Sequence, residues 1–79
     1  MFYAYFLISE VYPDYTYVGF TKDVAQRLEE HNKGKSIFTS KYKPWQLVAY
    51  FGFDEELKAR RFEKYLKTNA GRIFLKRYC

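Results

Sequence analysis

Phe2-Tyr3-Ala4-Tyr5-Phe6-Leu7-Ile8 and, beyond Ser9 to Asp14, Tyr15-Thr16-Tyr17-Val18-Gly19-Phe20 are the two stretches that decide the fold. Both are rich in aromatic and aliphatic residues, the composition of buried strands. Pro13-Asp14 between them is a turn signal. The short connection makes the pair an antiparallel hairpin. Side chains alternate faces along a strand. Tyr3, Tyr5 and Leu7 therefore share one face of the first strand, and Tyr15, Tyr17 and Gly19 one face of the second. Such a hairpin can set Tyr5 and Tyr17 side by side.

Working outward, Thr21 has the character of a helix N-cap, with Asp23 in the first turn. The helix carries Val24 and Leu28 on its buried side. Arg27 and His31, four apart, project together from a different side. Gly34 is placed to end it. Lys33 to Lys43 is expected to be a polar, basic loop, and Pro44 to mark entry into a third strand over Trp45 to Phe53. There Leu47, Ala49 and Phe51 alternate with Gln46, Val48 and Tyr50. Asp54 is expected to cap a second long helix with Glu55 and Glu56 in its first turn and a stripe of Ala59, Phe62, Tyr65 and Leu66. Gly71 then interrupts, before a final helix over Arg72 to Tyr78. The order is ββαβαα: an α+β domain with a three-stranded antiparallel sheet flanked by helices, its active groups gathered on one concave face. Residues 1–79 are read as a single domain, with no repeat or low-complexity segment.

A chain of 79 residues buries only about 60% of the surface its unfolded form exposes. Its 8 Phe, 9 Tyr and 1 Trp supply much buried area per residue. Most of them are expected in the core, leaving a few for base stacking. The net charge is +5, and it is uneven. Lys33, Lys35, Lys41 and Lys43 fall in a stretch without an acid. From Lys58 to Arg77 there are 8 basic residues against one acid, Glu63. Basic clusters attract polyphosphates by counterion release. The expected partner is therefore nucleic acid. Cys79 is the only cysteine, which excludes an intrachain disulfide or a cysteine-based metal site and suits a reducing compartment. The first residues lack a basic n-region, and no apolar run reaches the roughly 18 residues of a membrane span. A cytoplasmic protein without membrane attachment is expected.

Tyr5, Tyr17, Arg27, His31 and Glu63 are the group types a metal-dependent phosphodiesterase needs. A carboxylate holds a hard ion such as Mg²⁺, arginine grips phosphoryl oxygens with a fork of donors, and a phenolate or imidazole takes the proton of attacking water. Tyr3-Ala4-Tyr5 and Tyr17-Val18-Gly19 resemble the two tripeptides that name the GIY-YIG nucleases. Arg27 within Gln26-Arg27-Leu28-Glu29-Glu30-His31-Asn32 resembles that family's helix arginine. Ala59-Arg60-Arg61-Phe62-Glu63-Lys64-Tyr65-Leu66-Lys67 resembles the segment with its metal-binding glutamate. The resemblance spans essentially the whole chain. It is closest to the short, stand-alone bacterial members similar to the GIY-YIG nuclease module of the excision-repair enzyme.

That resemblance implies an endonuclease acting in DNA repair or processing, with Mg²⁺ or Mn²⁺ held by Glu63. It implies Tyr17 as the favoured general base and Tyr5 positioning water or phosphate. Arg27 would stabilise the transition state, and His31 would assist proton transfer or bind phosphate. Tyr42 would contact the scissile region. Lys33, Lys35, Lys41, Lys43, Arg60, Lys64 and Lys67 are the candidate nucleic-acid contacts, with DNA the expected polymer. Selectivity would come from substrate shape, a homodimer or a partner protein. The first tripeptide departs from its namesake at Tyr3 and Ala4, Phe20 stands where some repair members carry lysine, and Asn69 is the candidate for the family's late asparagine.

Each residue alone has a plainer reading. Tyr5 and Tyr17 would be cross-strand packing, and Gly19 a bulge. Glu63 would be a surface partner of Lys67, and Arg27 a partner of Asp23 or Glu30. His31 would be a helix-terminal residue favoured by the dipole. All must hold together to remove the site. The alternatives to a nuclease are a non-catalytic nucleic-acid-binding module of the same fold and a protein-interaction module using exposed aromatics.

Overall fold

A computed structural model describes residues 1–79. The hairpin is formed by β1 (Phe2–Ser9) and β2 (Thr16–Thr21). Tyr15 N donates to Tyr12 O at 2.9 Å, closing a turn around Pro13 and Asp14. Next come α1 (Val24–Asn32), a helical turn α2 (Ile37–Ser40), β3 (Trp45–Phe53), α3 (Glu56–Leu66) and α4 (Asn69–Tyr78). The sheet is antiparallel, in the order β2-β1-β3. The expected order ββαβαα therefore holds, with α2 added inside the basic loop. No helix is long and apolar enough to cross a membrane.

The central strand divides the core by parity. Ala4 and Phe6 face α3 and α4, where they pack with Leu66 and Leu75. Tyr5 and Leu7 face α1, where they pack with Trp45 and Leu28. On β3 the expected alternation fails at one point. Phe6 pairs with Ala49 but Leu7 pairs with Leu47, so Val48 is an extra, bulged residue. Leu47 joins the α1 side while Phe51 packs on the α3 side.

Helix boundaries differ from expectation by a residue or two. Asp23, not Thr21, caps α1, its side chain accepting from Gln26 N at 3.0 Å. Thr21 is the last residue of β2, and its hydroxyl accepts from Asp23 N at 3.1 Å. Glu55, not Asp54, is the N-cap of α3, without a side-chain bond. Gly34 does end α1: at φ +77° it follows the C-cap Lys33, and Lys35 N bonds Glu30 O at 3.1 Å. Gly71 does not interrupt. It lies in the first turn of α4, whose N-cap is Thr68. A Cβ there would collide with the Tyr65 carbonyl and the Leu66 backbone. The bare glycine lets the start of α4 press against the end of α3.

Candidate active site

Tyr5 is the centre around which the other candidate groups gather. It stands opposite Gly19 across the hairpin. A Cβ at Gly19 would strike the Tyr5 phenol, so the glycine is the bed for that ring rather than a bulge. Tyr17 lies diagonally beside it, with ring centroids 6.2 Å apart. The Tyr5 oxygen is 2.8 Å from His31 Nε2, and His31 Nδ1 is 2.7 Å from Thr39 Oγ1. Thr39 has one hydroxyl proton, and the Ser36 carbonyl 3.5 Å away can only accept it. The two contacts tie Tyr5 and Thr39 to opposite nitrogens of the one ring.

Burial fixes the protonation of this pair. Tyr5 is 1% exposed and His31 0%. Desolvation pushes the Tyr5 phenol up to about 12, although the Arg27 guanidinium beside it pulls the other way. Desolvation also pushes His31 down to about 4, with Arg27 adding to the effect. Tyr5 is thus a neutral phenol and His31 a neutral imidazole across the working range. Neither presents a face to a substrate. His31 is fully buried, and the Tyr5 hydroxyl is bonded to it inside the protein.

Arg27 and Tyr17 are the open members. Arg27 is half-buried, with Nη1 2.9 Å from Glu30 Oε1. Glu30 first, and Tyr5 after it, push the guanidinium further above its ordinary range. It is a permanent cation. Tyr17 is half-buried, its ring edge-on to His31 at 5.0 Å. It lines a groove of about 900 Å³ that passes the free edge of β2.

Glu63 is reached differently from expectation. In place of a single concave face, α3 packs across the sheet from Tyr5 and Tyr17. The two sides meet around the edge of β2. Arg60, one turn before Glu63, covers the Phe20 ring at 4.0 Å. The Glu63 carboxylate adds only a small upward push on the Tyr5 phenol, after burial, Arg27 and Tyr17. The groove follows the first half of β2, bordered by Tyr17 and Phe38 and by Lys67 and Leu66; Arg27 and Glu63 do not line it. Glu63 also makes the plainer contact: its Oε2 is 2.9 Å from Lys67 Nζ.

No cluster of three or more His, Cys, Asp or Glu side chains occurs. Among the candidate residues the one carboxylate is Glu63. That suits a hard dication that keeps most of its water, such as Mg²⁺, and not a closed tetrahedral site.

Among the candidate nucleic-acid contacts, Lys35, Lys41, Lys43 and Lys64 are exposed and outside any ion pair. Lys33, Arg60 and Lys67 are paired with Glu29, Glu56 and Glu63. Tyr42 stacks on Tyr15 at 4.1 Å, at the turn end of the sheet. Asn69 is exposed at the start of α4. Three supporting residues escaped the sequence. Thr39 holds His31. Asn32 clamps the backbone of Trp45, accepting from its N at 2.5 Å and donating to its O at 3.2 Å. The hydroxyl of buried Ser9 donates to Tyr42 O at 2.6 Å. Their partners are remote in the chain, so no local pattern marks them.

Comparison with known proteins bears on this arrangement. A family model described as "GIY-YIG catalytic domain" matches residues 1–78. The chain is 35% identical over 69 residues to a structure-specific endonuclease subunit SLX1 homolog of Giardia intestinalis, covering 80% of this chain and 19% of that protein. It is 36% identical over 74 residues to structure-specific endonuclease subunit SLX1 of Malassezia globosa, covering 87% of this chain and 17% of that one. The human protein of that name is 37% identical over 66 residues, covering 77% and 24%. The chain thus spans about a quarter or less of the curated relatives it matches. With the family match running through nearly every residue of a ββαβαα fold built on the Tyr5–Tyr17 hairpin, the chain belongs to the GIY-YIG family.

Proposed function

We propose that residues 1–79 form a metal-dependent endonuclease domain that hydrolyses phosphodiester bonds in DNA, in repair or processing. The observation that carries this is the gathering of Tyr17, Arg27 and His31 around Tyr5 in a member of the GIY-YIG family. Tyr17, the open tyrosine, takes the proton of the attacking water. The water oxygen forms a bond to phosphorus as the ester P–O bond breaks. Arg27 grips the non-bridging oxygens where negative charge develops. Glu63 would hold Mg²⁺ or Mn²⁺, which when bound neutralises charge on the phosphate and the leaving oxygen. Tyr5 and His31 are positioning residues: His31 fixes the Tyr5 phenol, which lies against Arg27 and Tyr17. Lys35, Lys41, Lys43 and Lys64 offer free charge to the backbone, and Lys33, Arg60 and Lys67 would have to exchange a carboxylate for a phosphate.

The relatives are named structure-specific and are named subunits. By analogy this domain selects its substrate by shape and works with a partner protein or a second copy. The decisive experiment is cleavage of labelled branched, single-stranded and duplex DNA with Mg²⁺, with Mn²⁺ and with chelator. Metal-dependent cutting is expected on branched DNA. Binding without cutting under every metal would favour the non-catalytic module, which the engagement of Glu63 by Lys67 would then explain.

A further inference from the structure

The loop after α1 holds a feature that phosphate binding does not explain. Ile37 and Phe38 begin α2 and are 89% and 70% exposed. Two large adjacent apolar side chains open to water cost free energy that a polar loop would avoid. They are not loosely held. Thr39, the next residue, is 0% exposed and bonds His31 through its hydroxyl, while its carbonyl accepts from Trp45 Nε1 at 2.9 Å. The turn is anchored to the core by one residue and presents the preceding two outward. Phe38 sits with its ring centroid 6.2 Å from that of Tyr17 and borders the groove at the β2 edge. The unpaired charge of the loop is of one sign: Lys35, Lys41 and Lys43, with no acid between Glu30 and Asp54.

We propose that Ile37 and Phe38 form an apolar wedge that enters an open base step of DNA beside the scissile phosphate. It would thereby select substrates with a break or branch in the duplex. The lysines supply the attraction to the backbone, and apolar side chains inserted between bases are stabilised by stacking where the step is already open. A continuous duplex must first be unstacked, so discrimination arises without base-specific hydrogen bonds. The short distance to Tyr17 sets the cut next to the discontinuity; this part rests on the nuclease reading of the neighbouring site.

The test is a binding titration in chelator, so that no cleavage occurs. A branched DNA and a continuous duplex of equal length each carry 2-aminopurine, at the junction or the matching position. The full chain should bind the branched DNA more tightly and change the 2-aminopurine emission only there. An Ile37→Ala/Phe38→Ala double variant should lose about tenfold in branched-DNA affinity and keep its duplex affinity, because every lysine remains. Phe38→Trp should retain the preference. Circular dichroism should show both variants folded, since neither side chain is buried. A wild-type chain without preference, a double variant that keeps it, or one that loses branched and duplex binding equally would overturn the wedge. Because metal is absent, the outcome is readable even if the domain never cuts, and a cutting domain without the preference would sink the wedge alone.

Discussion

The two faces of the one sheet are built on different principles. Toward α3 and α4 the core is Ala4, Phe6, Leu66 and Leu75, ringed by Val18, Phe51, Phe62 and Phe74. It is held by apolar burial alone. Toward α1 the core is Tyr5, Leu7 and Trp45, and it includes the buried polar residues His31, Thr39 and Ser9. Every buried side-chain polar atom there has a partner, which is the condition for such a face to be tolerated. Alternate residues of β1 feed the two faces, so one strand serves stability with its even positions and the site with its odd ones. An apolar core accepts many shapes of similar volume. A hydrogen-bonded one fixes a single geometry, and that geometry holds the Tyr5 phenol against Arg27.

The largest expected effect falls where the two faces meet. Glu63→Gln keeps size and helix propensity but removes the charge. It should fold normally by circular dichroism and bind DNA at least as tightly, since Lys67 is freed. Cleavage should fall by more than about 10² if a metal held there supplies several kcal/mol to the transition state. A variant that cuts like its parent would leave α3 a purely structural helix and break the idea of a site that straddles the edge.

Two glycines sharpen the comparison. Gly71→Ala drives a methyl into the Tyr65 carbonyl and the Leu66 backbone, neither of which can swing aside. A stability loss of about 3 kcal/mol is expected in a denaturant titration, with cleavage per folded molecule unchanged. At Gly19 the obstacle is the far end of a side chain, the Tyr5 hydroxyl and ring. The ring can turn away, so Gly19→Ala should lose only about 1–2 kcal/mol of stability. It also breaks the hold on His31 and displaces the phenol from Arg27, so cleavage should drop by up to about 10². If both variants lost stability alone, the α1 face would be no more than a core.

A pH dependence should belong to the α1 face only. The His31 imidazole is held down to about 4 against an ordinary 6.5. Between those values the unfolded chain binds a proton that the folded one does not. Stability from this residue is therefore fully present above about pH 6.5, falls as pH is lowered through the window, and is lost below about pH 4. The loss should be roughly 2–3 kcal/mol. His31→Gln has no proton to gain, so the stability gap between wild type and variant should narrow between pH 7 and pH 4. Parallel curves would mean that water reaches the ring.

What was legible in the sequence follows the same division. The continuous apolar run of β1, the aromatic stretch of β2 and the bounds of Trp45–Phe53 were readable, because burial writes them locally. The motif residues were readable in order along the chain, which gave the family. The bulge at Val48 was not, since it is a mismatch between strands and leaves no mark in either. Nor was the depth of His31, whose partners Tyr5 and Thr39 are 26 and 8 residues away. Nor was the place of α3, which packs on the other side of the sheet from Tyr5 and Tyr17. Ile37 and Phe38 lie in a stretch read as a polar, basic loop, and a helical turn of 4 residues is too short to show a period.

The smallest effect decides how Lys67 divides its charge. Its ammonium is 2.9 Å from Glu63, in the favourable i,i+4 order, with the lysine side chain 53% exposed. Such a pair adds only about 0.3–0.5 kcal/mol, so Lys67→Gln should be nearly silent in a denaturant titration. Its place on the rim of the β2 groove predicts a second consequence. When a metal takes the Glu63 carboxylate, the ammonium is released to face the backbone of bound DNA. The slope of log K against log salt should then be shallower by about one in Lys67→Gln than in the parent, measured with divalent metal in the Glu63-intact chain. In chelator the ammonium stays with Glu63, and the slope should change less. An identical slope in both conditions would make Lys67 a partner of Glu63 alone, and the phosphate contacts on this side of the sheet would fall to Lys64.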